Sequence, residues 1–72
     1  MQRHVRVTTK TDPEPTFLTI TQASYAKTFD AVVAGDADAR RTLYGLVAAR
    51  VRSPIVRIEL IRGEEVVATI ER

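Results

Sequence analysis

The sequence predicts a small two-layer α+β domain in the order ββααββ, an antiparallel sheet with an αα-hairpin packed on one face. Three observations carry that expectation. Both ends of the chain alternate apolar and polar residues with the period of a strand. The middle holds two stretches whose apolar residues recur at helical spacing, parted only by Gly35 and Asp36. Pro13, Pro15 and Gly63 stand where such a chain must turn.

The first strand is read from Arg3 to Thr9, with Val5, Val7 and Thr9 on one side and His4, Arg6 and Thr8 on the other. Lys10 to Pro15 contains two prolines, which fix φ and remove two amide donors, so it is a turn or an extended connector. Residues 1–15 are therefore expected as a peripheral strand followed by a Pro-containing connector. Thr16 to Ile20, rich in β-branched and aromatic residues, is a second short strand. If it pairs with the first, the proline segment is a long hairpin loop.

Thr21 is expected to cap the first helix, from Gln22 to about Ala34, because its hydroxyl can accept from amides two or three residues on. Tyr25, Phe29, Val32 and Val33 form one stripe, and Ser24, Lys27, Thr28 and Ala31 face away. Gly35 ends that helix as the residue best suited to a left-handed C′ position. Asp36 caps the next, with Asp38 in its first turn, where a negative charge suits the helix dipole. This second helix is expected to run to about Arg52, with Ala39, Leu43, Leu46, Val47 and Val51 on its apolar stripe, until Ser53-Pro54 stops it. A two-residue joint makes the pair an antiparallel hairpin.

The last segment is a β-hairpin. Its apolar faces align when Leu60 pairs with Val66, Ile58 with Ala68 and Val56 with Ile70, which implies a three-residue loop, Arg62-Gly63-Glu64.

A chain of 72 residues is one small domain, and one of this size buries only about 60% of the surface its unfolded chain exposes. Disulfides, metals or oligomerisation usually supplement so small a core. The chain has no cysteine and a single histidine, His4, so disulfides and ordinary zinc sites are excluded. With two Phe, two Tyr and no Trp to fill the core, a homodimer or larger complex is expected. No apolar run approaches the roughly 20 residues needed to span a bilayer, and no secretory signal pattern opens the sequence. A cytoplasmic location is the resulting expectation.

Residues suited to chemistry have local explanations. His4 has no acidic residue near it in sequence, and Ser24 and Ser53 sit at a helix start and before a proline. Asp36 and Asp38 are two residues apart, but a calcium loop needs several more oxygen ligands at fixed spacing. Gly35, Gly45 and Gly63 are too scattered to build a phosphate-binding loop. The expectation is a protein without catalytic residues, cofactor or metal.

Two features stand out. Gly45 lies in the middle of the second helix, where glycine costs about 1 kcal/mol relative to alanine. It lies opposite the Leu43–Val47 stripe with Thr42, Ala48 and Ala49, on a face of small residues that a partner backbone could approach closely. Either a partner occupies that face, or the first helix packs on it, or it is merely exposed. The second feature is arginine, nine of the eleven basic residues. Arg41, Arg52, Arg57 and Arg62 could form a phosphate-contacting strip, although the net charge is only +2 and Glu59, Glu64, Glu65 and Glu71 share that half of the chain. A helix-turn-helix would put Asp36 and Arg41 where apolar residues belong, and the extra strand and connector depart from a ribbon-helix-helix.

The favoured function is a non-enzymatic protein–protein interaction module, a small regulatory, inhibitory or accessory protein of bacterial or phage origin, using Thr42, Gly45, Ala48 and Ala49. The alternative is a nucleic-acid-binding regulator using Arg41, Arg52, Arg57 and Arg62.

Overall fold

The computed structural model describes residues 2–71. Its elements are β1 (Arg3–Thr9), β2 (Thr16–Ile20), α1 (Ala23–Val33), α2 (Ala37–Ala48), β3 (Ile55–Arg62) and β4 (Glu65–Glu71). The four strands form one antiparallel sheet in the order β2-β1-β3-β4, and both helices pack on one of its faces. This is the two-layer ββααββ domain that the patterning predicts.

β1 lies in the middle of the sheet, which corrects the expectation of a peripheral N-terminal strand. Val5 stands between Leu18 of β2 and Leu60 of β3, and Val7 between Thr16 and Ile58. Local sequence offers β1 only its hairpin partner β2. The second partner, β3, arrives from some 50 residues further along the chain, so no local pattern announces it. Val5, Val7, Ile58 and Leu60 then meet Phe29 and Val32 of α1 and Leu43 and Val47 of α2 in a single core, with Ile55 and Ile70 at its margins. Burying each such side chain fully is worth about 1.5–3 kcal/mol over leaving it exposed.

The joint between the helices follows the sequence closely. Gly35 takes φ of +97°, and Gly35 N–H and Asp36 N–H donate back to the Val32 and Ala31 carbonyls, a Schellman closure of α1. Asp36 then turns capping residue for α2, its carboxylate accepting from the amides of Asp38 and Ala39. The start of α1 differs from expectation. Its capping position falls on Gln22, with no side-chain hydrogen bond, and Thr21 lies one residue too early to cap.

α2 also ends sooner than the sequence suggests, at Ala48 rather than about Arg52. Its last turn tightens as Arg50 N–H bonds to the Val47 carbonyl, and the chain then runs to Pro54, whose carbonyl accepts from Lys10 N–H. A helix carried to Arg52 would leave two residues to reach Ile55 in the sheet.

The β3–β4 hairpin keeps Ile58, Leu60, Ala68 and Ile70 inward as expected, but not the expected register. Ile58 pairs with Ile70 and Leu60 with Ala68, a shift of two residues, which preserves facing because side chains alternate with period two. The turn decides the matter. Gly63 and Glu64 make a two-residue turn between Arg62 and Glu65, with Gly63 at φ of +64°, as a type II′ turn requires, so the three-residue loop is not formed. A register irregularity between Leu60 and Ile61 absorbs the difference. Val56 and Val66, both expected inside, are exposed; Ile55 is buried in place of Val56, and Val67 rather than Val66 packs against the core. A second irregularity, where β1 runs past β3 at Thr8 and Thr9, reverses the alternation there.

Candidate functional site

α2 crosses over the sheet, bound near its start by the Arg40 guanidinium, which donates to the Thr69 carbonyl of β4 at 3.3 Å. Leu43 and Val47 point into the core, which leaves Thr42, Gly45, Ala48 and Ala49 on the outer side, all exposed. A methyl group built on Gly45 would meet no atom within 4 Å. The first helix therefore does not pack on this face. The Thr42 hydroxyl is turned inward on its own helix, donating to the Asp38 carbonyl at 3.0 Å, so the face presents short, apolar side chains.

Leu46 lies one turn on from Thr42 and marks where this face gives way to a cleft. The cleft, about 80 Å3, opens between the C-terminal end of α2, the start of α1 and strand β2. Leu18, Tyr25, Leu43, Leu46 and Val47 line it, and Arg50 stands with them. β2 is an edge strand, so one side of its backbone carries no ladder partner. A small-residue helix face, an apolar cleft and a strand edge thus adjoin one another. Helical periodicity reveals the helix face but not the cleft, since only the fold brings Leu18 and Leu46 to one lining.

Of the four arginines proposed as a strip, Arg57 and Arg62 lie on opposite faces of the sheet. Arg62 is on the helix side of the sheet, its guanidinium 3.3 Å from the Asp30 carboxylate of α1. Arg57 is the register partner of Thr8 and Glu71, and its guanidinium lies 3.8 Å from the Glu71 carboxylate. Arg41 is exposed on α2, and Arg52 lies beyond the end of that helix.

The chain matches no protein-family model, no curated protein and no solved structure.

Two carboxylates anchor the sheet. Asp30 accepts a two-pronged hydrogen bond from Arg3, at 2.9 and 2.8 Å, besides its contact with Arg62. These bonds, Arg3's foremost, hold the Asp30 carboxyl below the ordinary carboxylate range. On the opposite face, Glu59 accepts a matching pair from Arg6 at 2.8 and 2.6 Å, which lowers its pKa in the same way. His4, on that face too, has Nδ1 3.2 Å from the Thr19 hydroxyl across the strand pair. Among the described residues every buried side-chain polar atom has a hydrogen-bond partner. Among them, too, no helix is long and apolar enough to cross a membrane.

Proposed function

We propose that this chain is a non-enzymatic protein–protein interaction module, a small regulatory, inhibitory or accessory protein of bacterial or phage origin, whose contact surface is the small-residue face of α2 continued into the neighbouring cleft. The observation that carries this reading is the open space around Gly45. A glycine in mid-helix costs about 1 kcal/mol relative to alanine, and here it relieves no crowding inside the molecule. Its use is to a backbone from outside. With Ala49 four residues on, it lets a partner's main chain approach α2 closely, while the cleft accepts an apolar side chain and Arg50 offers a charge at its rim. A cysteine-free chain suits the reducing cytoplasm as the setting.

The test is site-specific photo-crosslinking in the native cell, with the reactive group at Ala48 and a control at exposed Lys27 of α1. A discrete protein adduct at Ala48, absent at Lys27 and lost when Gly45→Leu is added to a chain that still folds, is the expected result. Equal adducts at both positions, or insensitivity to Gly45→Leu, would overturn it. Salt-sensitive binding to random duplex DNA, weakened by Arg41→Ala and Arg52→Ala, would instead favour a nucleic-acid regulator.

A further inference from the structure

The face of the sheet turned away from the helices is assembled from His4, Arg6 and Thr8 of β1, Phe17 and Thr19 of β2, Arg57, Glu59 and Ile61 of β3 and their partners on β4. Register fixes this, because Arg6 lies between Phe17 and Glu59 while its neighbours Val5 and Val7 point into the core. Among the described residues three large hydrophobic side chains are exposed: Phe17 at 61%, Val66 at 44% and Val56 at 42%. Phe17 is the register partner of Arg6, Val66 that of Ile61, and Val56 stands in the bulge beside Arg57. All three belong to the uncovered side of the sheet or its border.

The charges on that side are matched within the chain. Arg6 is joined by two hydrogen bonds to Glu59, whose side chain is only 14% exposed, and Arg57 faces Glu71. The face therefore has apolar groups near its edges and a paired centre, with Arg6 and Arg57 set against Glu59 and Glu71. A polyanion finds no unmatched positive field there. A copy of the same face meets no repulsion, and its central ions are already satisfied when water leaves, which is the condition for burying charge without a large desolvation loss.

The area is at the margin. Strands of seven, five, eight and seven residues, at about 3.3 Å per residue and about 4.8 Å apart, give one face roughly 430 Å2 before side-chain relief. Two such faces in contact bury about 860 Å2 as flat areas, and side-chain relief raises this toward the roughly 1,000 Å2 lower bound of a specific interface.

We infer that this sheet face is a self-association surface, and that its occupant is a second copy of the chain packed sheet against sheet. Rotation about an axis along the strands lays the β2 edge of one copy over the β4 edge of the other, so Phe17 of one stands over Thr69 of the other, two ladder rows from Val66, in an isologous contact. The surface is separate from α2, and the dimer would hold two α2 faces outward and free. This inference does not rest on the interaction-module reading.

Sedimentation equilibrium on the full chain tests it. The expected result is a reversible dimer of the 8.0-kDa chain whose dissociation constant rises at least tenfold with Phe17→Lys and, independently, with Val66→Lys, while Gly45→Leu leaves it unchanged. Both lysine substitutions are at exposed positions, and far-UV circular dichroism checks that each variant folds; either alone suffices if the other does not. A chain that stays monomeric to about millimolar concentration, or a dimer indifferent to both lysines, would overturn the inference. A dimer broken by Gly45→Leu would overturn it as well, by placing the second copy on α2.

Discussion

Thr9 stands opposite Ile55, although Thr8, one residue earlier, stands opposite Arg57. Val56 is the residue left over, and its displacement lets Ile55 and Ile58 both face the core despite being three apart. Strand alternation alone would bury Val56 with Ile58. Ile55→Ala should therefore lower stability by about 2–4 kcal/mol, and Val56→Ala by less than about 0.5 kcal/mol, in urea unfolding. The opposite order would return Val56 to the core and remove the bulge.

The two helix starts offer a second contrast. Asp36 accepts from two backbone amides, whereas Thr21 lies outside the capping position of α1. Asp36→Ala should cost about 1 kcal/mol and Thr21→Ala close to nothing, as thermal unfolding of the two variants would show.

At Gly45 stability and use pull apart. Its backbone lies outside the positive-φ region and a methyl group there meets nothing, so Gly45→Ala should stabilise the free chain by about 0.5–1 kcal/mol. If a partner backbone approaches here, the same variant binds that partner more weakly. A variant that is no more stable than the wild type would show that the helix is strained at this point.

Acid should weaken the fold through Asp30 and Glu59. Both carboxyls give up their protons more readily folded than unfolded, so the unfolded chain binds more protons across the carboxylate range. Their contribution is complete at neutral pH and is lost as pH falls from about 5 through the lowered values. Urea midpoints at pH 7 and pH 3 should differ, and Asp30→Asn with Glu59→Gln should shrink that difference. An unchanged difference would locate the acid sensitivity in other groups.

What the sequence reveals and what it hides divides along physical lines. The Gly35–Asp36 joint was legible because both residues act on backbone atoms within five positions of themselves. The inward faces of all four strands were mostly legible, since alternation survives a register shift of two. The bulge at Val56, the early end of α2 and the central place of β1 were not, because each is imposed by a strand distant in sequence. The α2 face could be found on a helical wheel, but whether α1 covered it depended on packing. The cleft needed Leu18 and Leu46 brought together across the fold.

The central place of β1 also bears on how the chain becomes ordered in time. The β1–β2 hairpin is made before the helices and β3 as the chain is synthesised, yet a two-stranded hairpin alone is marginal in water. Its stabilising neighbour is β3, residues 55–62, which follows both helices. Until they emerge, Val5 and Val7 have no strand on their second side, and the helices have only half a sheet to cover. Closure must bridge about 50 residues in one step, which slows folding relative to a helical domain of equal length. The nascent chain therefore keeps an open, apolar sheet edge until β3 emerges, and is exposed to misassociation over that interval.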